Sequence, residues 1–117
     1  MQPAPVKPTI PFSQFESIDI RAGTIVSVSD VPASKKLVRF IVDFGDQVRS
    51  VVAGMKQERD DLDSLVGVQT LFVVNIEPRT MAGVLSEAMF FDLGYADGIQ
   101  PALALPERRI PNGTRAG

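Results

Sequence analysis

Four side chains able to contact a nucleic acid or a peptide surround one predicted reversal of the chain. The stretch "VNIEPRTMAGVLSEAMFFDLG" begins as a strand, breaks at a proline, turns at a glycine and becomes a strand again. An amide reads base edges or stabilises a turn, a guanidinium binds phosphate or stacks on a base, and a thioether offers adaptable apolar surface. The alternative is a capped turn with the methionine in the core. The candidates are Asn75, Arg79, Ser86 and Met89.

The residue types that are missing argue against an enzyme. The 117 residues include no Cys and no His, which removes thiolate nucleophiles, zinc–thiolate sites and imidazole bases. Acid–base chemistry would rest on carboxylates or lysines alone. We therefore predict a non-enzymatic protein without a metal or cofactor. The acidic residues between 58 and 63 lack the spacing of a calcium loop and are interpreted as a solvated helix start.

Positive charge is concentrated in one part of the chain. Between residues 35 and 59 there are six basic residues and three acidic ones. Local positive charge can bind phosphate even on an acidic protein, and Lys35, Lys36 and Arg39 are the candidates. The alternative is a scattered, solvated surface. Tyr95 and the phenylalanines mostly fall at core positions, so a general single-strand binder that depends on base stacking is disfavoured.

The overall composition indicates one compact domain without broad positive charge. Hydrophobic residues make up 44%, the formal charge is -2 and the pI is about 5.0. No apolar run approaches the roughly 20 residues that a membrane helix needs. The N-terminal segment lacks the apolar core of a signal peptide, so we predict a cytoplasmic protein.

The apolar periodicity predicts the elements that position these residues. A Pro-rich arm over 1–11 precedes a short helix with Ser13 as N-cap. A first strand with a bulge at Gly23 is followed by a hairpin over 37–52, a helix ending at Gly67, a fourth strand and a fifth from Val84 to Leu93. The predicted inward residues of the first strand are Ile18, Ile20, Ala22, Thr24, Val26 and Val28. Those of the second are Val38, Phe40, Val42 and Phe44, and the helical stripe is Leu62, Leu65 and Val66.

This order predicts an all-β protein: a five-stranded OB-fold barrel with a short helix between strands 3 and 4. Such barrels bind nucleic acids on the second and third strands and on the loops after the first and fourth. A sandwich is the alternative, although five strands cover two sheets poorly. The tail keeps an apolar segment, Ile99, Ala102, Leu103 and Leu105. This segment either builds a dimer interface or covers one end of its own barrel.

Several motifs along the chain resemble one family. "DIRAGTI", "VNIEPR", "SEAM" and the tail "LPERRIPNGTRAG" are similar to the tRNA-binding OB-domain family, over about Phe15 to Arg115. Its members include the C-terminal domains of methionyl-tRNA synthetases, free-standing dimeric tRNA-binding proteins and CsaA-type secretion chaperones. The tRNA-binding members usually have Ser-x-Gly-Met where this chain has Ala88 in "SEAM". That motif, "LGYADG" and "PNG" look more like the CsaA branch.

The resemblance implies a homodimer built through terminal segments, which binds tRNA or structured RNA through a basic barrel face. The motif carries Asn75, Arg79, Ser86 and Met89, with Lys35 and Lys36 in a variable basic loop. The alternative is an export-related chaperone that binds unfolded or presecretory peptides at a groove containing Met81 and Met89. The expected organisation is an arm over 1–11 and a domain over 12–117, with the barrel at about 18–93 and a dimerisation tail at about 94–117.

Overall fold

The computed structural model describes residues 1–117, and its regular structure is almost entirely β. A short helix, α1 (Phe12–Glu16), precedes the first strand, and 3-10 turns lie at Leu62–Leu65 and Tyr95–Asp97. In chain order the strands are β1 (Ile20–Asp30), β2 (Val38–Asp43), β3 (Val48–Ala53), β4 (Gln69–Val73), β5 (Arg79–Met81), β6 (Val84–Ser86), β7 (Met89–Phe90), β8 (Asp92–Leu93) and β9 (Ala102–Leu103).

The barrel is a curled antiparallel sheet of five strands in the order β3-β2-β1-β4-β7. β1 is 11 residues long, so it pairs with β4 along its first half and with β2 along its second half. A long first strand shared between two neighbours allows a small sheet to curl on itself. The predicted all-β OB fold is confirmed.

Four aromatic rings form the centre of the core. All four residues predicted to face inward from the second strand are buried. Phe40 meets Phe90 edge-on at 4.9 Å between ring centroids, and Phe72 lies 4.6 Å from Phe90 and 5.4 Å from Phe44. Edge-to-face contacts of this kind add to the stabilisation from buried area.

The bulge in β1 lies after the position that the sequence predicts. The register with β2 shifts between Ile25 and Ser27, so Ile25 is fully buried and Val26, predicted inward, is 50% exposed. Gly23 serves a different purpose, since a Cβ there would lie 2.7 Å from the ring of Phe44. The glycine therefore permits close approach of strand and ring.

Both predicted helices differ from the expectation: the first has a different N-cap, and the second is shorter. α1 forms where predicted, but Pro11 occupies its N-cap without a side-chain hydrogen bond, so Ser13 lies inside the helix and does not cap it. Ile18, predicted inward, precedes β1 and is 46% exposed. No helix of this molecule has the length and apolar character required to span a bilayer.

The second predicted helix, which was expected to end at Gly67, is only the 3-10 turn. Leu65 is buried and Leu62 packs against the core, but Val66 is 49% exposed, so the three-residue stripe is wrong at one position. Met55 is 4% exposed, and its carbonyl accepts the N–H groups of Glu58 and Arg59, so a turn occupies the start of the segment. Gly67, with φ of 90°, ends the turn as predicted.

The predicted fifth strand is broken into three short pieces. β5 and β6 form a hairpin through Ala82 and Gly83, whose φ values of 50° and 81° match a two-residue type I′ turn. β7 alone joins the barrel, by pairing with β4, and β8 pairs with β9 of the tail. The reversal at Pro78 is therefore the entry to a projecting hairpin.

The C-terminal tail packs along its own barrel. Gly113 N–H donates to the Ala22 carbonyl (2.8 Å), and Ala22 N–H donates to the Thr114 carbonyl (2.9 Å). These bonds occupy the part of β1 that β2 does not reach, and thereby cover an open strand edge. Leu103 packs against the core. Other apolar residues beyond β7 remain exposed: Leu93, Ile99 and Leu105.

Candidate functional site

A cleft of about 550 Å³ opens beside β3. Its walls are the segment after β3, the β5–β6 hairpin, the link from β6 to β7, and the side chains of Asp92 and Tyr95. Lys36 joins them from the loop between β1 and β2. The connections after the first and fourth barrel strands therefore meet at one place, which is where OB barrels bind nucleic acids. The prediction that Tyr95 falls at a core position is wrong, since it is 75% exposed.

The structure brings four of the seven predicted residues into this cleft. They are Lys36, Arg79, Ser86 and Met89. Lys36 and Arg79 are exposed, and Met89 is 44% exposed, so two cations and an apolar surface face the same space. Lys36 lies in the loop between β1 and β2 and Arg79 at the start of β5, and the curled barrel brings both to one cleft.

The other three predicted residues lie outside the cleft. Lys35 is exposed in the loop beside Lys36. Arg39 lies on β2, where its Nε donates to Ser50 Oγ across the sheet (2.9 Å). Asn75 holds the segment before β1: its Oδ1 accepts the Asp19 N–H (2.9 Å), and its Nδ2 donates to the Ser17 carbonyl (2.7 Å).

Ser86 closes the barrel. Its buried Oγ accepts the Val52 N–H (3.0 Å) and donates to the Ala88 carbonyl (3.1 Å). Glu87 forms a second link to β3, at Ser50. Its Oε1 accepts the Ser50 N–H (3.1 Å), and its N–H donates to the Ser50 carbonyl (2.8 Å). Two side-chain acceptors and one backbone N–H thus satisfy the edge of β3, where a strand ladder would otherwise do so.

Arg49 reinforces this closure from the other side. Its Nη1 donates to the carbonyls of Val74 (2.6 Å) and Glu87 (3.2 Å). One guanidinium therefore ties β3 to both ends of the connection that carries the hairpin. Charge-assisted bonds to carbonyls are stronger than neutral ones, so the base of the hairpin is firmly fixed.

Lys56 positions the basic loop. Its Nζ donates to the carbonyls of Ser34 (2.7 Å) and Val31 (3.3 Å) and pairs with Asp30, and its N–H donates to the Lys36 carbonyl (3.0 Å). The loop that carries Lys35 and Lys36 is therefore fixed against the segment after β3.

A model of the family described as Putative tRNA binding domain matches residues 20–115. The chain belongs to this tRNA-binding domain family. The methionine–tRNA ligase of Bacteroides fragilis is 34% identical over 110 residues, which are 94% of this chain and 16% of the ligase. That of Methanocaldococcus jannaschii is 42% identical over 80 residues, 68% of this chain and 12% of the ligase. The chain thus spans about a sixth of such ligases or less.

Solved structures of small proteins match almost end to end. A MetRS-related protein from Pyrococcus horikoshii has a TM-score of 0.85 at 27% identity, covering 95% of this chain and 100% of that one. The chaperone CsaA from Bacillus anthracis has a TM-score of 0.80 at 27% identity, covering 94% and 100%. The predicted resemblance to this family, with its synthetase and CsaA members, is confirmed.

Sequence reasoning missed the three carboxylates of this tRNA-binding domain that line the cleft: the half-buried Glu58 and Asp92 and the exposed Glu77. Burial raises the pKa of Glu58, and the nearby charge of Asp92 raises it further, while Arg59 opposes the shift. Burial likewise raises the pKa of Asp92. The interpretation of Glu58 as part of a solvated helix start is wrong, because it is half-buried in a turn. The three carboxylates were missed because the fold brings them together from distant segments.

Proposed function

We propose that this chain is a non-catalytic, cytoplasmic protein that binds tRNA or structured RNA through the cleft and the basic surface beside it. The observation that carries the proposal is that Lys36, from the loop between β1 and β2, and Arg79, from the start of β5, line one cleft of a tRNA-binding domain. Two cations across a cleft can hold successive phosphates of one strand.

We assign contact with the RNA and support of the cleft to different residues. Lys35, Lys36, Arg39 and Arg79 are proposed to contact phosphates, and Met89 is proposed to pack against a base or ribose. Asn75 and Ser86 were expected to contact bases or sugar. We now assign them a positioning role, because their hydrogen bonds are made within the protein.

The test is a salt titration of tRNA binding by the wild type and by Lys35→Ala/Lys36→Ala. Removing two phosphate contacts is expected to lower the slope of log affinity against log salt by roughly 1.4 to 1.8. Lys7→Ala/Arg108→Ala is the matched control, because it removes the same charge from exposed positions outside the cleft. Equal losses in both variants, or an unchanged slope, would contradict the proposal.

We also propose that the protein is a homodimer formed through its terminal segments. The support is the exposure of Leu93 (59%), Ile99 (51%) and Leu105 (60%) beyond the barrel. Light scattering is expected to give twice the chain mass of 12.7 kDa for the wild type and 12.7 kDa for Leu105→Asp. Val48→Asp changes an equally exposed residue outside the tail and should remain dimeric. A monomeric wild type at micromolar concentration would refute this proposal.

Peptide binding is the second candidate function, favoured by the methionines Met81 and Met89 in the cleft and by the structural likeness to CsaA chaperones. If it holds, Met81→Ser/Met89→Ser should lose the ability to suppress aggregation of an unfolded protein, while Lys35→Ala/Lys36→Ala keeps it. An unfolded protein that aggregates equally with and without the wild type rejects this candidate.

A further inference from the structure

The cleft combines two kinds of charge on an apolar surface. Lys36 and Arg79 supply positive charge. Glu58 and Asp92 supply half-buried carboxylates from the segment after β3 and from β8, and Glu77 adds an exposed carboxylate. Met89 contributes to the apolar surface between them. A phosphate is attracted by the cations and repelled by the carboxylates, so the carboxylates need a different ligand group.

Neither half-buried carboxylate forms an ion pair, although Arg59 lies near both, and only Asp92 has a donor, its own backbone N–H. Glu58 and Asp92 take part in none of the ion pairs, which are Arg21–Asp19, Lys56–Asp30 and Arg108–Glu107. Both are half-buried, and no side chain of another residue donates a hydrogen bond to either carboxylate. Half-buried carboxylates with so few donors destabilise a fold, and they are typical of positions where a ligand supplies further donors.

In RNA the groups that carry N–H donors are the bases. Guanine presents an imino N–H and an amino group side by side, which match the two oxygens of one carboxylate. Adenine and cytosine offer one amino group. Uracil presents carbonyl oxygens on both sides of its single N–H and would face the carboxylates with lone pairs. Unpaired bases are the ones whose edges are open to such contacts.

We propose that Glu58 and Asp92 make the cleft selective for an unpaired nucleobase that presents N–H donors, with guanine bound best and uracil worst. This inference rests on the proposed RNA-binding function. The phosphates on either side of the base lie at Lys36 and Arg79, and Met89 packs against the base. A cleft of about 550 Å³ is within the size range of sites that enclose ligands as large as a nucleoside.

The experiment compares labelled RNA octamers by fluorescence anisotropy at constant low salt. The probes are an all-uridine octamer and the same octamer with one central guanosine, inosine or cytidine. Inosine retains the imino N–H and lacks the amino group. The wild type is expected to bind the guanosine octamer about tenfold more tightly than the all-uridine one, as one bidentate base contact allows. Inosine and cytidine should fall between them.

Glu58→Gln/Asp92→Asn keeps the shape of both side chains and removes their charge. This variant should bind the all-uridine octamer more tightly and prefer guanosine by less than twofold. Asp61→Asn/Asp63→Asn is the matched control, since it removes two exposed carboxylates outside the cleft and should keep the full preference. If the double cleft variant does not fold, the comparison of octamers with the wild type still decides the proposal.

Equal affinity of the wild type for the uridine and guanosine octamers overturns the base selectivity. The proposed function still holds in that case if tRNA binding depends on salt and on the lysines. Octamers that neither bind the protein nor displace tRNA from it also overturn the base selectivity. Displacement of tRNA by a Lys-rich peptide and not by the guanosine octamer assigns the carboxylates to a basic peptide instead. If the protein does not bind tRNA at low salt, the proposed RNA-binding function itself is refuted.

Discussion

Ser86 lies beneath the cleft with its hydroxyl bonded on both sides, to the Val52 N–H and the Ala88 carbonyl. A serine in a binding motif is easily interpreted as a ligand contact. Here the hydroxyl proton is donated within the protein, and the oxygen satisfies a strand edge. The residue shapes the site by holding the base of the hairpin against β3.

Ser86→Ala is expected to lower the free energy of unfolding by about 1–3 kcal/mol, because it leaves the buried Val52 N–H without an acceptor. Urea denaturation monitored by circular dichroism measures the change. Ser64→Ala removes an exposed hydroxyl bonded to Asp61 and should have little effect. Unchanged stability together with weakened RNA binding would instead make Ser86 a ligand contact.

At the level of elements, the predictions succeeded where neighbours in sequence are neighbours in space. The alternating apolar residues of β2 and its hairpin with β3 were predicted correctly, because one strand face and one tight turn decide them. The predicted alternation of inward and outward residues in β1 is wrong at Val26, because the bulge depends on strand partners far along the chain. The prediction of one strand from Val84 to Leu93 is wrong because its parts pair with different strands. β6 pairs with β5, β7 with β4, and β8 with β9 of the tail.

The same reasoning explains what could be predicted of the site. Arg79 and Met89 follow from a motif around one turn, and Lys36 from a local cluster of charge. Glu58 and Asp92 belong to no local pattern. They become neighbours only when β8 pairs with β9 and the Gln100 side chain donates to the Glu58 carbonyl, which joins the tail to the segment after β3.

The tail contributes its own stabilising element around Asn112. The Asn112 Oδ1 accepts from the Thr24 hydroxyl (2.8 Å) and from Gln69 Nε2 (2.8 Å), which links the tail to β1 and β4. Asn112→Ala is expected to lower the free energy of unfolding by about 1–3 kcal/mol and to speed hydrogen exchange at the Ala22 amide.

Hydrogen exchange followed by NMR tests this expectation. Glu107→Ala is the control, because Glu107 lies in the same tail with a side chain that is 92% exposed. A tail that makes no contribution to the barrel would leave exchange at Ala22 the same in both variants.

For the molecule as a whole, the cleft carboxylates make stability depend on pH. Burial raises the pKa of Glu58 and Asp92 above their ordinary values of 4.5 and 3.8, so the folded state holds their protons more tightly than the unfolded state. Their stabilising effect is complete below those ordinary values and is lost as the pH rises through the raised ones. Asp19 acts in the opposite sense, because its hydrogen bond to Arg21 lowers its pKa.

Glu58→Gln/Asp92→Asn should therefore be more stable than the wild type at about pH 7, and the difference should shrink toward about pH 3.5, where these carboxyls are protonated in both states. The charged groups that share the cleft with this pair are Lys36, Arg79 and Glu77, and the nearby Arg59 opposes both pKa shifts. Thermal melts across this range measure the effect. A variant less stable than the wild type at neutral pH would contradict it.

The β5–β6 hairpin has a further consequence for how such domains diversify. Its base is fastened to β3 by Ser86 and Glu87, whereas its tip turns at Ala82 and Gly83, and a Cβ at Gly83 would have open space within 4 Å. Residues inserted at the tip lengthen the projection without moving any core strand. Evolution or engineering can thus adjust how far the domain reaches along its ligand by editing one exposed turn, while the barrel is inherited unchanged.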